Sequence, residues 1–310
     1  MDCLSDVRKI NYRKMTLFVV GFLGFFGTLP AQTTLQVVKR TVEKTFAYKD
    51  GYELNIEGEK AQILVESWNR NDIRVHAELI AKHPDKQTAR ADLEMMVFSS
   101  DQHGDMIYFR NYVSVPAGKK APESDLSAVY TITLPKDCPL YLKNNFGLTK
   151  VNNLTNALKI QSEYSKVLLD NLSGRINVDT YFGDIEGRNI DGQVRIDSRR
   201  SNITLYNIMG AWDINAQYGV LKLFTDPMQN LASLDITAEK ADVYFFDPNP
   251  SIYGYNLTAH YGNITAPVDL KFNYIENTQE VKKAIFTSKL GGKGNIFIKI
   301  SFGDIIIRNP

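Results

Sequence analysis

The chain has 310 residues, 44% hydrophobic and 23% charged, a globular mix that excludes a disordered or collagen-like polymer. Its 36 basic and 35 acidic side chains leave a formal charge of +1, which gives no electrostatic footprint for nucleic acid. Asparagine, with 24 residues, outnumbers glycine, with 20.

The first predicted element is a leader. Arg8, Lys9, Arg13 and Lys14 precede an uncharged apolar stretch from Met15 to Leu29. That length suits the core of a signal peptide and falls short of the about 20 residues that span a bilayer. Ala31 supplies the small residue at the cleavage point. Residues 1–31 are therefore read as a signal peptide, with Met15 as an alternative start, and the protein as exported to periplasm, cell surface or medium. The remainder, once Asp2 and Asp6 leave with the leader, carries 32 basic against 33 acidic side chains, a net −1. Cys3 precedes the apolar stretch, where no lipid-bearing cysteine stands. Cys138 alone cannot form an internal disulfide. No second long apolar segment predicts a stable membrane span after cleavage.

Residues 32–138 read as a strand-rich region and cap. Tyr52–Ile56, Ile63–Val65 and Ile73–Val75 are strands, with a turn at Trp68–Asp72. His83-Pro84-Asp85 opens one short helix through Leu93, Asp85 standing near its amino end. Met95–Ser100 and Met106–Val113 make a hairpin around His103-Gly104-Asp105. The polar segment 116–127 is a loop before the strand ending in Thr133-Leu134-Pro135.

From Pro139 the chain repeats every eighteen residues. Apolar side chains recur at the second place (Leu140, Leu158, Ile176, Val194, Trp212) and the fourth (Leu142, Ile160, Val178, Ile196, Ile214). The sixth place is small or polar. The eighth holds Phe146, Tyr164, Phe182, Arg200 and Tyr218, and the ninth alternates glycine with serine. Apolar residues return at the eleventh and thirteenth places, and blocks close on Gly174, Gly192 and Gly210. Each block reads as strand, corner, strand and glycine turn, with one face of each strand buried. Eighteen residues cannot bury that face alone, whereas coils stacked at the strand spacing of ~4.8 Å can. The expectation is an all-β, single-stranded β-solenoid, parallel-β-helix-like, over residues 139–310 and continuous with the cap.

Asn153, Asn171, Asn189 and Asn207 share the fifteenth place, where a stack superposes them. They are expected to form a structural ladder, amides bonding backbone groups of neighbouring coils; that ladder accounts for the glycosylation-type triplets at Asn153 and Asn171. The corner aromatics Phe146, Tyr164, Phe182 and Tyr218 share the parity of the apolar places and are expected to stack inward, as packing. An outward stack would make them a stripe for sugar. Beyond Leu223 the spacing loosens, and Phe302-Gly303-Asp304-Ile305 repeats Phe182-Gly183-Asp184-Ile185. The polar stretch 273–283 reads as a protruding loop.

The pattern Phe46…Gly51…Leu54…Ile56, then Ile63…Val65…Trp68…Val75, followed by Thr133-Leu134-Pro135 and Gly-x-Ile coils, resembles the bacterial putative-adhesin domain family over about residues 43–310. The resemblance implies a β-solenoid and supplies no catalytic residues. Ala61-Gln62 departs from the family where glycine is common, and Lys240-Ala241 replaces an aromatic-glycine corner.

Two carboxylates, Asp179 and Asp197, share the fifth place of adjacent coils, with Arg195 and Arg199 close in sequence. Such a cluster has the composition of an acid/base pair or a cation site, or of a solvated face balanced by its arginines. Gln161 and Asn215 at the flanking fifth places extend no acidic groove. His76, His83, His103 and His260 lack metal-ligand spacing, and Gly291–Asn295 matches a calcium nonapeptide only once and imperfectly. No catalytic residue, cofactor or metal is therefore expected. The function read from sequence is an exported, non-enzymatic, adhesin-like binding scaffold of surface or envelope, with a glycan or envelope protein as possible partner classes. The alternatives are a carbohydrate-active β-helix enzyme, lyase or hydrolase, and a self-assembling envelope protein pairing through a terminal edge at Ile305-Ile306-Ile307.

Overall fold

The computed structural model describes residues 34–226, 231–288 and 294–309; the expected leader and the Gly291–Lys293 glycines lie outside them. The alternation of apolar and polar residues places the second, fourth, eleventh and thirteenth positions of each block inside a β-solenoid. Ile160, Val178, Ile196 and Ile214 superpose along one wall, and Val167, Ile185, Ile203 and Leu221 along the opposite one. All are at most 1% exposed, and each such side chain contributes about 1.5–3 kcal/mol by leaving water. The sixteenth place (Leu154, Leu172, Ile190, Ile208) is buried as well. There short backbone bonds, Ser173 N–H to Leu154 C=O and Asp191 N–H to Leu172 C=O at 2.9 Å, make a third, narrower side.

In chain order the elements begin with β1 (Gln36–Ala47), β2 (Glu53–Glu59), β3 (Ala61–Trp68), β4 (Asp72–His83), α1 (Lys86–Leu93), β5 (Met96–His103), β6 (Met106–Val113) and β7 (Asp125–Pro135). The regular coils follow as β8 (Leu140–Asn145) with β9 (Leu148–Asn152), β10 (Leu158–Glu163) with β11 (Lys166–Leu172), β12 (Arg175–Tyr181) with β13 (Ile185–Ile190), and β14 (Gln193–Arg199) with β15 (Ile203–Ile208). Then β16 (Gly210–Phe224) and β17 (Leu231–Phe246) each run through two sides of a coil. The remainder is β18 (Gly254–His260), β19 (Ile264–Thr265), β20 (Asn273–Asn277), β21 (Val281–Phe286), β22 (Asn295–Ser301) and β23 (Ile305–Arg308).

Spatial order departs from chain order at both ends. The β2–β3 coil is inserted between the β6–β7 and β8–β9 coils, pairing parallel with both. Residues 32–138 therefore supply two coils as well as a cap. The cap consists of β5, antiparallel on β6, and of β4 and β1, antiparallel beyond β7. Helix α1 starts where the Asp85 carboxylate accepts from the Thr88 backbone N–H at 2.7 Å, a side-chain N-cap. Asp92 on α1 anchors the preceding-strand loop by accepting from Glu123 N–H, Ser124 N–H and the Ser124 hydroxyl at 3.0, 2.8 and 2.6 Å. Burial pushes its carboxyl up, but those hydrogen bonds outweigh burial and hold it below the usual range.

At the other end, β22 and β23 slot between β17 and the β18–β19 coil. Ile305–Ile307 are thus at most 8% exposed inside the stack, which corrects the expectation of a terminal edge there. The polar 273–283 stretch is also corrected: it forms the β20–β21 hairpin, whose β21 pairs antiparallel with β18. It lies on the end of the stack, where strands bury little and polar side chains fit them.

Candidate functional site

The odd-numbered places of β8, β10, β12, β14 and the first half of β16 point outward and line a groove of about 530 Å³. Its floor and walls include Lys143, Gln161, Glu163, Asp179, Tyr181, Asp197, Arg199, Asn215 and Gln217. Every one of these side chains can donate or accept hydrogen bonds. The parallel register sets Asp179 directly beside Asp197, at about the 4.8 Å strand spacing. The Asp197 carboxylate is held on both oxygens: Arg195 Nε donates to Oδ2 at 2.8 Å, while Arg195 Nη2 and Asn215 Nδ2 donate to Oδ1 at 3.3 and 3.0 Å. Arg195 also reaches Asp213 at 3.3 Å. Burial, and then the charge of Asp197, push the Asp179 carboxyl above its usual range, against the pull of Lys159 and Arg195. Arg199 Nε donates to Gln217 Oε1 at 3.1 Å.

The four residues singled out in sequence thus share one face. Their arrangement is a hydrogen-bonding surface in which Asp197 accepts three hydrogen bonds from its neighbours. Among the described residues no group of three His, Cys, Asp or Glu is placed to hold a metal ion. His76 pairs with Glu43 at 2.9 Å and His83 bonds around Asp85.

Next to this groove, past Tyr181, runs the first corner of the coil, and here the structure corrects the inward stack. Phe146, Tyr164 and Tyr218 are 54%, 47% and 39% exposed. The eighth place has positive φ in every coil, from 51° to 58° at Tyr164, Phe182, Arg200, Tyr218 and Phe146. A left-handed residue turns the chain and breaks the period-two parity, so the side chain leaves the core. The rings stack on one another: Phe146 on Tyr164 at 5.0 Å and 4°, Tyr164 on Phe182 at 4.9 Å and 10°. Arg200 bridges Phe182 and Tyr218 at 5.1 and 5.6 Å, and Lys240 covers the far side of Tyr218 at 5.1 Å. Phe302 on Tyr261 at 5.3 Å continues the row. Ring faces are spent on each other and ring edges look outward, with Tyr181 standing edge-on to Phe182 at 4.3 Å between ladder and groove.

The second corner carries Asn153, Asn171, Asn189 and Asn207, with φ of 60°, 53°, 52° and 54°. Asn171 Nδ2 donates to Asn153 Oδ1 at 2.6 Å and Asn207 Nδ2 to Asn189 Oδ1 at 2.8 Å, both exposed. Asn189 turns to Asp170 and Asn153 to Glu66 instead. The partners are side chains, not the backbone groups expected, because a left-handed corner swings the amide outside the coil. A further ladder escaped the sequence reading. At the tenth place Asp184 Oδ1 accepts from Asn202 N–H, Asn202 Oδ1 from Val220 N–H, Asp242 Oδ1 from Asp304 N–H, and Asp304 Oδ1 from Asn263 N–H, at 2.7–3.1 Å. The repeated Phe-Gly-Asp-Ile was its signal.

The family model described as Toastrack DUF4097 matches residues 52–308. Among the solved structures that resemble the chain are three, each at 12% identity over 87% of it. They are a putative adhesin from Bacteroides fragilis (97% of that chain, TM-score 0.44), a putative adhesin from Parabacteroides merdae (96%, 0.40) and a putative lipid binding protein from Parabacteroides distasonis (96%, 0.36). At such identity and TM-score none bears on ligand or activity. No curated protein is similar to the chain. No helix among the described residues is long and apolar enough to cross a membrane.

Proposed function

The chain belongs to the Toastrack DUF4097 family, and on that premise we propose that it is an exported, non-enzymatic, adhesin-like scaffold that binds an extended surface or envelope glycan along the outer groove of β8–β16. The observation that carries this reading is the groove itself: hydrogen-bonding side chains from five consecutive coils, two basic against three acidic, with the Tyr181 ring among them. Sugar hydroxyls are recognised by such planar amide, carboxylate and guanidinium groups. A rigid stack presents them at a fixed repeat, so little ordering entropy is lost on binding. The basic, apolar leader supports export.

The test is binding of the full-length protein, as processed by its expression host, to a glycan array and to isolated envelope polysaccharide. Tyr181→Ala and Arg199→Ala are each expected to weaken binding about tenfold, with cooperative unfolding retained in both. Absence of any glycan ligand, or unaltered binding by both variants, overturns the reading. Polysaccharide cleavage by the wild type that Asp179→Asn abolishes would replace it with the enzyme alternative.

A further inference from the structure

A stack of coils ends in strand edges, and these ends are not treated alike. Open edges invite pairing with another chain and are normally blunted by shortness, bulges or irregular composition. At the far end, β19 has two residues, and β20 has five with a register break between Tyr274 and Glu276. At the near end, β5 finishes in Ser-Ser-Asp-Gln-His. β1 differs from all three. It runs twelve residues, Gln36–Ala47, without glycine, proline or register break, is rich in Val and Thr, and pairs along one edge only, with β4. Among the described residues its other edge has no strand partner.

We infer that β1 pairs antiparallel with β1 of a second copy, about a twofold axis through Thr41, giving a dimer in which the two sheets become continuous. The register follows from face and charge. Val37, Lys39, Thr41, Glu43 and Thr45 are the exposed row of β1, and Val38, Arg40, Val42 and Phe46 the half-buried one. Joining like face to like face allows register shifts only in steps of two, since a one-residue slip inverts every side chain. Centring on Thr41 sets Lys39 opposite Glu43 of the partner subunit twice. Centring on Arg40 loses both pairs, and centring on Val42 sets Arg40 against a lysine, Lys44 of the partner subunit. Within the protomer Lys39 already meets Glu78 at 2.8 Å and Glu43 meets His76 at 2.9 Å. The chosen register therefore joins these two pairs into one alternating row across the interface, Glu78 and Lys39 from one copy, Glu43 and His76 from the other. Arg40, on the opposite face, is held by the Met96 carbonyl of its own protomer and is not drawn into the contact.

Sedimentation velocity of the full-length protein, as processed by its host, over a range of micromolar concentrations is expected to show twice the protomer mass. Thr41→Pro, which places a ring and no N–H in the free edge, is expected to give the monomer. Lys39→Glu is expected to weaken the dimer about tenfold by setting like charges opposite each other twice. Adding Glu43→Lys is expected to restore it, with unfolding midpoints reporting that each variant is folded. A wild-type monomer throughout the range overturns the inference, as does a dimer that survives Thr41→Pro. Failure of the charge reversal to restore what Lys39→Glu loses overturns the register.

Discussion

A single residue's φ explains most of what these corners do. The L-residue penalty for left-handed backbone is about 1–2 kcal/mol, and asparagine tolerates that region best after glycine. At the fifteenth place this, more than the amide–amide bond, accounts for Asn153, Asn171, Asn189 and Asn207, whose side chains are exposed to competing water. Asn171→Ala is accordingly expected to cost about 1 kcal/mol in urea unfolding, while Asn171→Gly leaves stability within a few tenths. Equal losses in both variants would return the stabilisation to the hydrogen bond. At the eighth place the same backbone carries aromatic or basic residues, and there stacking worth about 0.5–1.5 kcal/mol per pair offsets the strain.

At the level of the element, a coil is a pair of strands joined where the chain approaches its neighbour too closely for a side chain. A Cβ at Gly183 would lie 2.0 Å from the Ser165 carbonyl oxygen, and one at Gly147 1.9 Å from that of Ala61. The alternating ninth place follows: glycine sits over a small residue of the preceding coil, and Ser165 and Ser201 accept from Gly147 and Gly183 N–H at 2.7 and 3.2 Å. Gly183→Ala should therefore lower stability by about 1–3 kcal/mol, read as a shifted denaturant midpoint; a shift of a few tenths would mean that the corner yields. The Ala61 and Lys240-Ala241 departures noted in sequence fall on this register: Ala61 stands under Gly147, and Ala241 under Gly303, each a small residue facing a glycine. The strands, the coil length and the fifteenth-place column were legible because period two and period eighteen are properties of the chain itself. The outward turn of Phe146 and Tyr164 was not, since alternation counts positions and is blind to a dihedral that reverses them.

For the whole molecule, stack order departs from sequence order at both ends. Strands of equal length and similar apolar pattern are interchangeable in a solenoid, so nothing in Ile296–Ile300 or Leu54–Ile56 announces that each is wedged between coils distant in sequence. The outer groove was partly legible: Asp179, Asp197, Arg195 and Arg199 were found together by their places, whereas Tyr181 and Gln217, two places further along the same strand face, were not singled out. Removal of residues 289–310 takes out β22 and β23. Hydrogen exchange of this truncation is expected to lose protection at β18 and in the second half of β17, while β10–β14 keep theirs. Retained protection at β18 would show that the β18–β21 segment stands without the inserted coil.

That inserted coil also constrains the order in which the protein can be completed. As the chain is made from its amino end, β17 and β18 emerge with a gap one strand wide between them, which only β22 and β23 can fill. A zipper closing coil after coil behind the ribosome would stop at β17, leaving β18, β19 and the hairpin detached from the stack. The last turns of the stack must assemble together, as a post-synthetic step with its own rate. Until then the strands beyond β17, in about the last fifth of the chain, stay outside the closed stack.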